Sequence, residues 1–159
     1  MSPTLGKRTA GLRSPGRILL VEDEPSLAAF ATRSLNHAGY HVAGPFACEH
    51  DALLAAGRDK PDLALLDVCL RDGDGVHLAE LLHRHWQVPV LFVSGSPQHA
   101  AEGASVAIGL LQKPYTLQSL VDSVRFCEAC IRGEAASPPK TLMLFPGARR
   151  YRPRPGRCA

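Results

Sequence analysis

The sequence predicts an α/β fold, namely a doubly wound sheet of five parallel strands with helices on both faces. Two observations lead to this prediction. Short, continuous apolar runs alternate five times with segments whose apolar residues follow helical spacing, and such runs are typical of strands buried on both faces. Each apolar run also stops abruptly at polar or charged residues. Regular alternation of this kind favours parallel strands joined by right-handed crossovers.

Glycine, proline and the apolar spacing set the boundaries of each element in turn. Pro25 suits the first turn of the first helix and Gly39 suits its end, while Gly44 and Pro45 predict a break after the second strand. The strands are predicted at residues 17–21, 40–43, 63–67, 88–93 and 107–111. The helices are predicted at residues 25–37, 48–57, 76–86 and 116–131.

Three later segments have distinctive patterns. The third strand is apolar until Asp67 ends it, which marks it as a central strand of the sheet. Residues 98–106 are weakly patterned, so any helix there is expected to be short or loose. The last helix has a regular apolar stripe, which predicts these buried residues: Leu117, Leu120, Val121, Val124 and Ile131.

Charge divides the 159-residue chain into three parts. The overall net charge of +3 combines a basic lead, an acidic middle and a basic, Pro/Arg-rich end. We therefore predict a disordered N-terminal lead at residues 1–16, one folded domain at 17–131 and a disordered tail at 132–159. In that tail, residues 142–145 are the one apolar patch, and they are either a docking segment or a chance hydrophobic run.

The cysteines and the absence of long apolar runs bear on the cellular compartment of the protein. The five cysteines are scattered and odd in number, and the sequence shows no secretory leader and no apolar run long enough to span a membrane. We expect a soluble, cytoplasmic protein with reduced thiols. Cys127 and Cys130 fall inside a helical pattern without a second ligand pair, so they are interpreted as ordinary thiols.

Polar or charged residues follow four of the five predicted strands. They are Glu22 and Asp23 after the first strand, Asp67 after the third, Ser94 after the fourth and Lys113 after the fifth. Parallel strands end at one edge of a sheet, so these side chains should converge there. Each residue alone has an ordinary explanation as a helix cap, a turn residue or a surface lysine. Together, clustered carboxylates suit Mg²⁺, and the added hydroxyl and ammonium suit phosphoryl transfer with Asp67 as nucleophile.

Five motifs occur in order along the chain. They are Leu-Leu-Val-Glu-Asp-Glu-Pro (19–25), Pro-Asp-Leu-Ala-Leu-Leu-Asp (61–67), Asp-Gly-Asp-Gly (72–75), Pro-Val-Leu-Phe-Val-Ser-Gly (89–95) and Lys-Pro-Tyr (113–115). With these motifs, residues 17–131 resemble the receiver domain of two-component response regulators. The resemblance implies a flavodoxin-like (βα)5 receiver fold. It also implies that Asp67 accepts a phosphoryl group from a histidine kinase.

The resemblance implies a metal site as well. Asp23 and Asp67 would bind Mg²⁺ directly, Glu22 would act through water, and Cys69 would supply its backbone carbonyl. Ser94 and Lys113 would contact the phosphoryl group.

One position departs from the family pattern. Receivers usually carry an aromatic residue or histidine three positions before the lysine, and this chain has Leu110 there. The segment between Ser94 and Lys113 is also a few residues short. Both traits resemble the receiver subgroup with a Phe-x-Thr/Ser-Gly motif that is paired with HWE-type histidine kinases.

These observations predict a phosphoacceptor response regulator in a two-component phosphorelay. It would catalyse only its own phosphorylation and dephosphorylation, and it would signal by contact with an unknown downstream protein. The expected phosphoryl donor is a histidine kinase, of the HWE type if the subgroup holds, or a phosphotransfer protein; no membrane contact is expected. One alternative is an aspartate-nucleophile phosphatase, but Val68 and Cys69 follow Asp67 where that class needs Asp-x-Asp. The other is a receiver whose basic tail binds nucleic acid, although the tail has no recognition-helix pattern.

Overall fold

A computed structural model describes residues 16–151 of the chain. It contains six strands and five α-helices in the order β1 (Arg17–Val21), α1 (Pro25–His37), β2 (His41–Phe46), α2 (Glu49–Arg58), β3 (Leu63–Leu66), α3 (Gly75–Trp86), β4 (Val90–Ser94), α4 (Pro97–Ala101), β5 (Ala107–Gln112), α5 (Leu117–Ile131) and β6 (Leu142–Leu144). A 3₁₀ helix at Pro146–Tyr151 follows β6. The predicted disordered lead, apart from Gly16, lies outside the described residues, as do residues 152–159 of the predicted tail.

The sheet has the strand order β2-β1-β3-β4-β5-β6, and β1 to β5 are parallel. This confirms the predicted α/β fold with a parallel, doubly wound sheet. β3 and β4 are buried along their whole length because both faces of the sheet are covered. One core lies between the sheet and helices α2, α3 and α4, and the other lies between the sheet and helices α1 and α5.

Helix boundaries follow local signals. The side chain of Glu24 caps α1 by accepting hydrogen bonds from Ser26 N–H and Leu27 N–H, at 3.3 and 2.9 Å. Glu22 and Asp23 therefore stay in the β1–α1 loop and do not serve as caps. In α5, Thr116 and Ser119 form a capping box. Within the described residues, no helix is both long and apolar enough to cross a bilayer.

The second strand is longer than predicted. The predicted strand ends at residue 43, before a break at Gly44 and Pro45, but β2 continues to Phe46, so that boundary was wrong. Leu19 pairs with Ala43 while Val21 pairs with Phe46, so β2 accommodates one extra residue in a bulge. Gly44 has a φ of 109°, a conformation that favours glycine, and this lets the strand pass the bulge.

The prediction of a disordered tail was wrong for residues 142–151. β6 pairs antiparallel with β5 and adds a sixth strand to the predicted five. Phe145 is buried in the core, its N–H donates to Ile108 O at 2.9 Å, and Gly147 N–H donates to Ala104 O at 2.9 Å. Leu142 and Phe145 of this apolar patch are buried, whereas Met143 and Leu144 remain exposed. The patch thus docks on its own domain, where its backbone covers the edge of β5.

Two smaller expectations have different outcomes. The weak pattern at residues 98–106 is explained by α4, which is only five residues long and is followed by hydrogen-bonded turns. Leu117 was predicted to be buried, and this was wrong: its side chain is 42% exposed at the first residue of α5, outside the stripe that faces the sheet.

Candidate functional site

Three carboxylates meet at the carboxyl edge of the sheet. Glu22 and Asp23 follow β1, and Asp67 follows β3. One oxygen of each lies within 4.8 Å of the others. Among the described residues, this is the only group of three or more potential ligand side chains gathered so closely. Parallel neighbouring strands bring them together, as the sequence predicted.

Lys113 lies between two of these carboxylates. Its Nζ is 2.8 and 3.1 Å from the two oxygens of Glu22 and 2.9 Å from Asp67 Oδ2. Glu22 and Asp67 are both buried. A buried carboxylate needs a charged or hydrogen-bonding partner, and one ammonium group serves both.

Backbone amides hold the other carboxylate oxygens. Cys69 N–H donates to Asp67 Oδ1 at 3.0 Å, and Arg71 N–H donates to Asp23 Oδ2 at 2.7 Å. The loop after β3 thus orients both aspartates. Asp67 accepts one hydrogen bond at each of its oxygens, so the carboxylate has a defined orientation in the site.

Burial and charge shift two pKa values in this cluster. Burial raises the pKa of Glu22 to about 7; Lys113 opposes the rise and Asp67 adds to it. Burial alone would lower the pKa of Lys113, but hydrogen bonds to Glu22 and Asp67 more than offset this and raise it. Three carboxylates face one lysine here, and this excess of negative charge favours a bound cation.

Ser94 and Leu110 lie on the neighbouring strands. Ser94 is buried at the end of β4, its Oγ accepts a hydrogen bond from Ser96 N–H at 3.1 Å, and its carbonyl accepts one from Lys113 N–H at 2.9 Å. Leu110 is fully buried in β5, where it pairs with Phe92 of β4 and Met143 of β6. The structure therefore joins the backbones of Ser94 and Lys113 and places an apolar side chain at the position where receivers usually have an aromatic residue.

Sequence reasoning missed one group beside this cluster. His99 was not among the predicted site residues, but its two ring nitrogens face Cys69 and Asp74. No local signal in the sequence indicates this contact, because it depends on how α4 packs beside the loop that follows β3. Cys127 and Cys130 are both free thiols, as expected, and Cys127 is fully buried.

Comparison with known proteins points to one family. The sequence model of the response regulator receiver domain matches residues 18–125. The KDP operon transcriptional regulatory protein KdpE of Escherichia coli is 32% identical over 131 residues, which cover 80% of this chain and 57% of that protein. The transcriptional regulatory protein PdtaR of Mycobacterium tuberculosis is 27% identical over 77% of this chain and 64% of its own length. The chain thus spans less than two thirds of these curated relatives.

Solved structures agree with the fold. The chemotaxis response regulator CheY4 of Vibrio cholerae has a TM-score of 0.66 and 25% identity, over 71% of this chain and 98% of that structure. A response regulator from Chloroflexus aurantiacus has a TM-score of 0.65 and 27% identity, over 72% of this chain and 98% of that structure.

Proposed function

The chain belongs to the response regulator receiver domain family of two-component systems, and from this premise we propose that Asp67 is its phosphoacceptor. The phosphoryl donor is a histidine kinase or a phosphotransfer protein. The observation that carries the proposal is the orientation of Asp67, which Cys69 N–H and Lys113 Nζ hold at its two oxygens beside Glu22 and Asp23.

The donor set of the acidic cluster fits Mg²⁺. Hard carboxylate oxygens and water are the ligands this ion prefers, and Asp23 and Asp67 offer them within 4.8 Å of each other. In this proposal Asp23, Asp67 and the backbone carbonyl of Cys69 bind the ion, and Glu22 acts through water. The bound ion would supply positive charge that offsets the charge of the phosphoryl oxygens.

The transfer itself needs a nucleophile and charge neutralisation. An oxygen of Asp67 forms the new bond to phosphorus, while the bond from phosphorus to the donor histidine nitrogen breaks and its electron pair stays on that imidazole. Lys113, already 2.9 Å from Asp67, contacts a phosphoryl oxygen after transfer. The Ser94 hydroxyl donates a hydrogen bond to a second phosphoryl oxygen.

The output is protein–protein contact in the cytoplasm. The protein catalyses only its own phosphorylation and dephosphorylation. Leu110 is an apolar residue and is fully buried. It therefore offers no hydroxyl or imidazole group that could move towards the site together with Ser94. We also propose that the donor kinase is of the HWE type. The leucine at position 110 and the Phe-Val-Ser-Gly sequence at residues 92–95 support this assignment.

Phosphorylation of Asp67 can be tested with a small acyl phosphate. Wild-type protein incubated with acetyl phosphate and Mg²⁺ should gain one phosphoryl group in its intact mass, and Asp67→Ala should gain none. Asp51→Ala, which removes an exposed aspartate of α2, is the matched control and should label like the wild type. Undiminished labelling of Asp67→Ala would contradict the assignment of Asp67 as the phosphoacceptor. Sustained turnover of p-nitrophenyl phosphate would favour the phosphatase alternative instead.

A further inference from the structure

Cys69, His99 and Asp74 form a chain of contacts beside the phosphoacceptor loop. Cys69 Sγ lies 3.7 Å from His99 Nδ1, and His99 Nε2 lies 3.1 Å from Asp74 Oδ1. The three residues come from separate places: the loop after β3, helix α4 and the residue that caps α3. The thiol of Cys69 is exposed, and the side chain of His99 is 30% exposed.

The carboxylate of Asp74 fixes which ring nitrogen of His99 can act as a ligand. A carboxylate accepts hydrogen bonds, so the neutral ring carries its proton on Nε2, which faces Asp74. The lone pair of Nδ1 is then directed towards Cys69 Sγ. A histidine held in this way by an outer carboxylate is the usual arrangement around a metal-bound imidazole.

The distance between the two donor atoms also fits a metal ion. Zinc lies about 2.3 Å from a thiolate sulfur and about 2.0 Å from an imidazole nitrogen, so a tetrahedral ion separates the two donors by roughly 3.5 Å. The observed separation is 3.7 Å. We propose that Cys69 Sγ and His99 Nδ1 bind a divalent ion of the zinc class, with Asp74 as the outer carboxylate and water completing the coordination.

This site differs chemically from the acidic cluster. Thiolate and imidazole donors select zinc-like ions, whereas three carboxylates select Mg²⁺. Cys69 belongs to both sites, because its N–H donates to Asp67 Oδ1 while its side chain faces His99. An ion held by Cys69 and His99 would fasten α4 to the loop that orients Asp67. With two protein ligands, it binds more weakly than a four-ligand structural zinc.

Cobalt(II) gives a test that reports the thiolate directly. With Mg²⁺ in excess to occupy the acidic cluster, Co²⁺ should produce a sulfur-to-cobalt charge-transfer band that saturates at one ion per chain and disappears when Zn²⁺ is added. Cys69→Ser and His99→Gln should each abolish the saturable band. Asp74→Asn keeps a residue that can cap α3, and it should weaken binding about tenfold or more. Cys48→Ser is the control and should keep the band.

A second measurement needs no variant. In the wild type, Zn²⁺ should slow the alkylation of Cys69 by iodoacetamide, mapped by peptide mass, and leave the rate at Cys48 unchanged. An undiminished cobalt band in Cys69→Ser, the absence of a band in folded wild-type protein, or alkylation of Cys69 at the same rate with and without Zn²⁺ would overturn the site. None of these readouts requires phosphorylation, so the result stands apart from the proposal for Asp67.

Discussion

Lys113 donates a hydrogen bond to Asp67, with Nζ 2.9 Å from Oδ2, and the two side chains are only 19% and 8% exposed. The same ammonium group contacts Glu22 at 2.8 Å. Lys113 thus neutralises part of a buried negative charge before any cation or phosphoryl group arrives. From this double contact we expect Lys113 to contribute to stability as well as to the proposed reaction.

Replacing Lys113 should therefore destabilise the protein when Mg²⁺ is absent. Lys113→Met leaves Glu22 and Asp67 buried without their cation, which should cost about 3 kcal/mol of unfolding free energy. Urea unfolding in EDTA measures the loss, and added Mg²⁺ should restore part of it. Lys60→Met removes an exposed lysine and serves as the control. Equal stability of the two variants would show that the contact contributes nothing.

Mg²⁺ should raise the melting temperature through the acidic cluster. An ion that binds only the folded state at ten times its Kd adds about 1.4 kcal/mol of stability. Asp23→Asn removes one charged ligand and should abolish the Mg²⁺-dependent shift, whereas Asp51→Asn should keep it. Differential scanning calorimetry with and without Mg²⁺ measures both. The same shift in Asp23→Asn as in the wild type would place the ion elsewhere.

The tail should detach when Gly147 gains a side chain. A Cβ atom on Gly147 would overlap the carbonyl oxygen of Ala107, whereas a Cβ atom on Gly95 would have nothing within 4 Å. Gly147→Ala should lower stability by about 2 kcal/mol, and hydrogen exchange at residues 142–147 should quicken. Gly95→Ala is the matched control for both effects. Unchanged exchange in Gly147→Ala would mean that the tail tolerates the added atom.

Acid should weaken the contact between the tail and α3. Arg150 contacts His83 Nε2 at 3.0 Å, and burial together with the Arg150 charge lowers the pKa of His83 below its ordinary value of 6.5. The unfolded chain then binds more protons than the folded one near that pH. This contribution to stability is fully present above pH 6.5 and is lost as the pH falls towards the lowered pKa.

Replacing His83 tests the direction of this pH dependence of stability. Between pH 7.5 and 5.5, His83→Gln should lose less unfolding free energy than the wild type, because glutamine keeps an acceptor but does not titrate. His85→Gln changes an exposed histidine two positions away and should keep the slope of the wild type. Urea titrations at several pH values give the slopes. Identical slopes for the wild type and His83→Gln would exclude the histidine as their cause.

The acidic cluster could be predicted because it depends on topology alone. Strand–helix alternation implies parallel strands, and parallel strands end at one edge, so the meeting of Glu22, Asp23, Asp67 and Lys113 followed from their place after each strand. The contact between Cys69 and His99 could not be predicted in this way. It depends on the packing of a five-residue helix with little periodicity of its own.

The sixth strand was missed for a different physical reason. Leu142, Met143 and Leu144 are too few to show an alternating pattern, and their surroundings are rich in proline and basic residues. What allows them to dock is a property of the distant β5: Gly109 has no side chain where the Met143 carbonyl approaches. Such a long-range fit leaves no periodic signal in either segment.

The path of the tail also decides how far the molecule can reach. After α5 the backbone turns back along β5, so residues 142–151 are used in packing and do not serve as a flexible spacer. A group attached after Tyr151 would start from the β5 side of the sheet, and residues 142–151 would add nothing to the length of its linker. A shorter tether raises the effective concentration of an attached group near its anchor and excludes surfaces farther away. A fluorophore or fused domain attached directly after Tyr151 would therefore sample the surroundings of α5 and β5 much more often than the opposite edge at β2.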